Sequence, residues 1–364
     1  MQLHIENYKC FSEQTINFGK LTVLAGANSA GKSSTVQSIL LMRLAIEKSK
    51  KNEAIIPVNG EYCLALGLAE KLINSSSSSS SENNFSLSFK DNEEISYDVD
   101  FTFNRDMPYG FEFTSNGNSN DNLLSGDFYY LNAERIGPRL DYKVDNFKHA
   151  GYNGEYAVQM VADLGFKTNE LKSFADDIPH NLRDQAHAWL EYVTPGVKIG
   201  GSEVYDSIRT AKMEISGTTP TNVGFGVSYV LPIIVNGLLA KPNSVFIVEN
   251  PEAHLHPSAQ SRIGRFLAKI AGTGVNVIVE THSEHVINGI RIATLSDDYA
   301  LQPQDVIINF FHKEKHNHQP QVKEIRITDS GNLDDFPRDF FDQVPQDLAE
   351  LIALKRARRE GDKK

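Results

Sequence analysis

The chain has 364 residues, 40% of them apolar and 23% charged, with 25 glycines and 14 prolines. This is enough for two or three structural units with a sizeable core, and it excludes a collagen-like or globally disordered chain. A net charge of −11 argues against a protein that coats nucleic acid with a basic surface, while leaving room for a local basic groove.

Alternating apolar residues at Leu3 and Ile5, at Ile16 and Phe18, and at Leu21, Val23 and Leu24 predict a small sheet ending at Ala25. A helix follows to about Glu47, with Val36, Ile39, Leu40 and Leu44 on one face. Residues 50–125 read as irregular, with a short helix near 64–73 and an antiparallel meander at 85–89 and 95–103. The seven-serine tract 75–81 cannot bury anything and reads as a flexible hairpin tip or linker. Residues 151–195 read as helical, with Ala157, Met160, Val161 and Leu164 on one face, and 204–215 as extended.

From residue 230 helices and strands take turns: helix 230–239, strand 245–248, helix 258–270, strand 275–279 and helix 284–291. That alternation predicts an α/β fold with a parallel sheet. A β-hairpin at 306–327 and a last helix from about Gln346 complete the pattern. Cys10 and Cys63 stand in no C-x-x-C spacing, which excludes a disulfide scaffold and a cysteine-based zinc site. No apolar signal region is seen at the N-terminus. The longest apolar run, 230–240, holds Pro232 and Asn236 and is too short to span a bilayer, so the chain reads as cytoplasmic, with no membrane partner.

Gly26-Ala27-Asn28-Ser29-Ala30-Gly31-Lys32-Ser33 fits G-x-x-x-x-G-K-[ST] at every fixed position, after an apolar strand and before a helix. Such a loop, continued by Ser34, turns backbone N–H groups inward around phosphates, and the helix N-terminus adds positive potential. Lys32 is expected to reach the β- and γ-phosphates of ATP, and the Ser33 hydroxyl to ligate Mg²⁺.

The apolar strand Val245-Phe246-Ile247-Val248 runs into Glu249-Asn250-Pro251-Glu252, as a Walker B segment does, placing a carboxylate beside Mg²⁺. After the next strand His282, in Glu280-Thr281-His282-Ser283, is placed to contact a γ-phosphate. The turn Asn222-Val223-Gly224-Phe225-Gly226-Val227-Ser228 leads into a helix and offers a second set of N–H groups.

Taken in order, the blocks resemble the ABC-type ATPase heads of the SMC, RecF and OLD group, and among them the bacterial AAA-family ATPases with a C-terminal domain of unknown function. They are LHIENYKCFSEQTINFGKLTVLAGANSAGKSS, YLNAERIGPR, GYNGEY, VGFGVSYVLPI, VENPEAHLHPSAQSR, VIVETHSEHVINGIR and DSGNLDDFPRDFFDQ. The likeness covers nearly the whole chain except about 50–120. It implies a P-loop fold: a split ATPase core (1–50 and 221–300) with an antiparallel sheet at the N-terminus, an inserted helical and β lobe (51–220), and a small α+β cap (301–364).

It further implies a homodimer, or a higher homo-oligomer, with ATP sandwiched between the Walker A loop of one subunit and the signature loop of another. Val223-Gly224-Phe225-Gly226 stands for that signature. Gly224 occupies the usual serine place, so the hydroxyl that meets the γ-phosphate in trans is missing unless Ser228 substitutes. Glu249 takes the Walker B aspartate place, a metal-binding role, and Asn250 the place of the catalytic glutamate in many relatives. An amide orients water but accepts no proton. Either Glu252 is the base, or hydrolysis is slow and ATP mainly holds the dimer shut; the second is the favoured expectation, and Glu252 could equally fix the loop carrying His254 and His256. Arg135, in AERIGPR, is expected near the phosphates.

The interval from Lys32 to Gly224 shows no heptad run, which excludes the long tether of SMC proteins. Asp334, Asp335, Asp339 and Asp342 read as solvated turn and cap residues rather than the metal cluster of an appended nuclease. The chain thus reads as an ATPase without its own effector. The resemblance implies a sensor or scaffold that controls a separately encoded nuclease or toxin in antiviral defence; the competing expectation is a RecF-like repair ATPase that binds DNA directly. The basic end, Lys355, Arg356, Arg358, Arg359, Lys363 and Lys364, reads as a frayed, solvated helix end.

Overall fold

Two six-stranded sheets enclose one helix between them in the computed structural model, which describes all residues except 75–82, 92–95, 118–122, 164, 169–171, 176, 314–318, 339 and 362–364. The serine tract 75–81, Leu164, Asp339, Lys363 and Lys364 thus lie outside the described residues. The first sheet is antiparallel: β1 (Gln2–Tyr8), β2 (Phe11–Asn17), β4 (Ile55–Pro57), β5 (Asn84–Lys90), β6 (Ser96–Thr102) and β7 (Gly110–Gly117), in the order β2-β1-β5-β6-β7-β4. The expected meander therefore continues the N-terminal hairpin, because β5 pairs with β1.

The second, central sheet holds β3 (Leu21–Gly26), β8 (Phe128–Leu131), β12 (Val245–Glu249), β13 (Asn276–Glu280), β14 (Val306–His312) and β15 (Gln321–Arg326), in the order β15-β14-β3-β13-β12-β8. Every pairing is parallel except that of β15 with β14. Here the division expected from sequence is redrawn. β8 falls in the anticipated lobe and β14 in the anticipated cap, yet β8 pairs with β12 and β14 with β3. Both are short, nearly continuous apolar runs, buried in the manner of parallel strands covered on both faces.

α1 (Lys32–Lys50) lies between the sheets. Sequence periodicity marks one apolar face, but Leu41, Met42, Ala45 and Ile46 are buried as well, since a helix covered on two sides is apolar nearly all round. Leu24, Ile247, Ile278 and Phe311 of the central sheet share this core with Leu3, Ile5, Phe85 and Phe101 of the other. The alternate residues Val23, Phe246, Val248, Val277 and Val279 face the opposite layer. That layer contains α4 (Phe225–Leu239), α5 (Pro257–Gly272) and α6 (Glu284–Ala293), with α2 (Ala157–Ala162) and α3 (Leu182–Val193) packed outside.

A three-stranded sheet of β9 (Tyr142–Lys143), β10 (Ile199–Tyr205) and β11 (Thr210–Ile215) completes the lobe, and α7 (Gln343–Gly361) follows the hairpin. Two helical expectations are corrected. Residues 64–73 carry no α-helix but a 3-10 turn at Ala69–Leu72, after another at Glu61–Cys63 where Tyr62 and Cys63 adopt φ of 52° and 55°. Among the described residues of 151–195 only α2 and α3 are α-helical; an Asp163 side chain accepting from the Gly165 N–H at 2.8 Å turns the chain after α2.

Polar residues inside apolar segments fasten the lobe to α4. Asn236, buried within α4, accepts from the Ala150 N–H at 2.8 Å. Lys172 is fully buried and donates to Gly237 O at 3.0 Å and to Ala240 O, capping the C-terminal carbonyls of α4. Burial pushes its ammonium down to about 8.

Candidate functional site

The C-terminal ends of β3, β12 and β13 meet at one edge of the central sheet, where open α/β sheets hold their ligands. β3 ends at Gly26, and the loop from Ala27 to Gly31 delivers the chain into α1. Gly31 has φ of 107°, and a Cβ there would meet the Phe11 ring at 2.5 Å, so only glycine makes this turn. Ala27, Asn28 and Ser29 are exposed on the loop and Ala30 is buried beneath it. Lys32 opens the helix; its ammonium donates to Gly26 O at 2.9 Å and Ala27 O at 2.8 Å. Burial lowers its pKa, opposed by the charges of Glu280 and Glu252. Ser34 faces Cys10, with Sγ to Oγ at 3.8 Å.

Ser33 reaches across the sheet edge, its hydroxyl donating to Glu280 Oε1 at 2.9 Å. Glu280 ends β13 in register with Glu249 at the end of β12, so the two carboxyls are neighbours. Burial pushes Glu280 up to about 7, with the charge of Glu249 adding to it and the Ser33 hydroxyl and Lys32 opposing. Glu249 is likewise raised by burial, against the Tyr130 hydroxyl that donates to it at 2.6 Å and the charge of Arg135.

Two buried acceptors, Glu280 Oε2 and Asn250 Oδ1, meet no hydrogen-bond donor among the described residues. A serine hydroxyl and two neighbouring carboxylates are hard-oxygen ligands of the kind Mg²⁺ takes, and an orphaned acceptor such as Glu280 Oε2 fits a cation with its waters.

The turn after β12 is tightly determined. Asn250 has φ of 43°, a left-handed conformation that asparagine tolerates, and its N–H donates to Glu280 O at 2.8 Å. Glu252 accepts with both oxygens, from Thr281 Oγ1 and from the His282 N–H, each at 2.7 Å. Its carboxylate therefore holds the loop carrying His282, while its backbone carbonyl accepts from the Leu255 N–H at 3.0 Å in the loop carrying His254 and His256. His282 is exposed; burial of part of its ring and the charge of Lys32 lower its pKa.

Arg135 is 5% exposed and donates to Glu249 O and to Asn250 O at 3.2 Å, with its guanidinium 5.6 Å from the Tyr229 ring centroid. Burial brings it down to about 10. It thus clamps the Walker B turn from behind instead of contacting the Walker A loop.

The glycine-rich turn at 222–226 stands apart from this cluster. Gly224 is exposed at the N-terminus of α4, and Gly226 lies against the loop that follows the Walker B turn, a Cβ there meeting His254 O at 3.0 Å. Phe225 is 53% exposed beside the His254 ring. Ser228 is 8% exposed, in the buried side of α4, so burial denies it the surface role left open from sequence.

Glu280 was not singled out from the sequence. Its signal was present: VIVE closes β13 as FIVE closes β12, and parallel register sets the two acids side by side. Of the downstream acids, Asp334 accepts from the Arg326 N–H at 2.9 Å and Asp335 pairs with Lys323, as turn residues do.

Residues 1–189 match the family model described as AAA ATPase domain. Residues 163–288 match one described as AAA domain, putative AbiEii toxin, Type IV TA system. Residues 301–351 match one described as protein of unknown function (DUF3696). No curated protein matches the sequence.

Among solved structures the chain is similar to the Smc head domain from Pyrococcus furiosus with an extended coiled coil, bound to the C-terminal domain of ScpA. The identity is 11% and the TM-score 0.52, over 89% of this chain and 96% of that one. An Smc head bound to the C-winged helix domain of ScpA gives 11% identity and a TM-score of 0.51, over 90% and 98%. The SMC head domain from Thermotoga maritima gives 14% identity and a TM-score of 0.43, over 88% and 97%. The first two likenesses show the fold, that of an SMC-type P-loop ATPase head. Among the described residues no helix is long and apolar enough to cross a membrane.

Proposed function

The chain belongs to the AAA ATPase domain family, and from that premise we propose that it binds ATP with Mg²⁺, hydrolyses it slowly and uses it to close a homodimer. The observation that carries this reading is the convergence of the Ser33 hydroxyl, Glu280 and Glu249 at the mouth of the Walker A loop. Backbone N–H groups of residues 26–34 and the α1 N-terminus bind the phosphates, and Lys32 exchanges its two carbonyl partners for phosphate oxygens. Ser33, Glu249 and Glu280 hold Mg²⁺, which supplies charge neutralisation to the β- and γ-phosphates.

Slow turnover follows from the two groups nearest the base position. Asn250 cannot accept a proton, and Glu252 already spends an oxygen each on Thr281 and His282. In this role Glu252 is a positioning residue for His282, and Arg135 is one for the Walker B turn. Exposed Gly224 and Phe225, at the start of α4, serve as the surface that meets a second copy's nucleotide. We propose further that the ATPase core acts through a separately encoded effector in antiviral defence, a reading that rests on the resemblance of its sequence blocks.

The composite site is tested with Gly224→Arg. Gly224 has open space where a side chain would go, so the fold tolerates the change while the bulky cation obstructs a second copy. The variant is expected to bind ATP as the wild type does and to lose ATP-dependent dimerisation in sedimentation experiments. An unchanged ATP-dependent dimer would remove Gly224 from the interface.

A further inference from the structure

We infer that the turn 151–156 and Arg135 tie the start of α4 to the Walker B turn of the same subunit, which makes Gly154 and Tyr229 positioning residues for ATP turnover. The block GYNGEY forms this turn and contributes nothing to the Walker A cluster itself, yet it holds two of the site's elements together. On one side it packs on α4. Gly154 has φ of 81°, and a Cβ there would meet the Pro232 ring at 2.4 Å. Just before the turn, the Ala150 N–H donates to Asn236 Oδ1 at 2.8 Å. On the other side Tyr152 O accepts from the Asn132 N–H at 2.9 Å and Asn153 O from the Ile136 N–H at 2.8 Å. Arg135 lies between those two anchor points.

Arg135 in turn touches both elements: its guanidinium meets the Tyr229 ring of α4 and donates to Glu249 O and Asn250 O. Two residues on, a Cβ at Gly137 would meet the Phe225 ring at 2.7 Å, so the same loop lies against the exposed start of α4. Pro232 offers no N–H to Ser228 O, which breaks the hydrogen-bond ladder of α4 between its first turns and the half anchored by Asn236. Coupling needs an element with two arrangements, and two unmet groups supply it. The Arg135 Nε–H and Asn250 Oδ1 are buried and meet no hydrogen-bond partner among the described residues, although the two residues are already bonded through the Asn250 carbonyl. A buried donor and acceptor left open cost free energy, and a small shift of Arg135 that pairs them gives the turn a second, closed state. In that state Arg135 fixes the Asn250 side chain, the group at the base position. A second copy pressing on Gly224 and Phe225 would thereby act on the site of the subunit it touches; that consequence rests on the proposed composite site, whereas the linkage stands on contacts within one chain.

Hydrogen exchange of the full chain without nucleotide reads the Walker B turn through the Asn250, Ala253 and Leu255 N–H groups, which donate to Glu280 O, Asn250 O and Glu252 O. Tyr229→Leu and Gly154→Ala are each expected to speed exchange at 250–255 about tenfold while residues 33–40 keep the wild-type rate. Tyr229→Phe keeps the ring under the guanidinium and is expected to match the wild type. In steady-state assays the first two variants are expected to lower kcat about tenfold with the affinity for ATP unchanged, and to add nothing to the loss caused by Arg135→Gln. Unaltered exchange at 250–255 in Tyr229→Leu would overturn the inference. So would equal acceleration at 33–40, or a further loss of kcat on top of Arg135→Gln. Where Gly154→Ala does not fold, the two Tyr229 variants decide. A wild type that binds no ATP would refute the composite site instead, and the exchange rates would still decide the linkage.

Discussion

Glu280 is buried among charges of both signs, and its raised pKa is a statement about stability. Folded, it titrates at about 7 against an ordinary value of 4.5, chiefly because burial disfavours its charge. Between those values the folded chain holds a proton that the unfolded chain has released, so the stabilisation present below pH 4.5 is lost as pH rises through 7. Glu280→Gln keeps an acceptor for Ser33 and removes the titration. In metal-free buffer it is expected to raise the melting temperature at pH 8, by up to on the order of 3 kcal/mol of stability, and to change little at pH 5. An equal effect at both pH values would contradict the buried-charge account. Contiguous site residues were legible in the sequence: Gly26 to Ser34 and Glu249 to Glu252 lie in unbroken runs. Glu280 and Arg135 act through pairings across the fold, one by strand register and one by reaching carbonyls 114 and 115 residues away. Spacing along the chain does not encode either.

At the level of elements, α5 and α6 meet backbone to backbone. A Cβ on Gly264 would lie 2.3 Å from Val286 O, and one on Gly289 would lie 2.0 Å from Ser261 O. This crossing keeps α6 close to α5 and so sets the depth of the loop 281–283, where the Ser283 hydroxyl caps α6 and donates to Gln260 at 2.5 Å. Gly289→Ala forces the helices apart and is expected to cost about 1–3 kcal/mol, read as an earlier midpoint in urea, and to lower ATPase activity by displacing His282. A wild-type midpoint would show that the crossing yields without cost. Helices with one buried face, such as α5 and α6, were legible from periodicity. The second buried face of α1 was not, because a sheet built largely from residues beyond 80 covers it.

For the molecule as a whole, the central sheet draws β3 from the first 30 residues, β8 from the middle of the chain and β14 from beyond residue 300. The α/β class was legible from the alternation after residue 230. The sheet's membership was not, since a four-residue run such as Phe128–Leu131 declares itself a core strand only through its partner. This assembly places Lys32 at the head of α1, with Glu249 and Glu280 on the adjoining strands, where we propose that they make one Mg²⁺–ATP site. Equilibrium titration of ATP with Mg²⁺ into the wild type and Lys32→Ala tests it most directly. The wild type is expected to bind, and the variant, folded by its melting curve, to lose about a hundredfold or more in affinity. Equal affinity in the two proteins would contradict it.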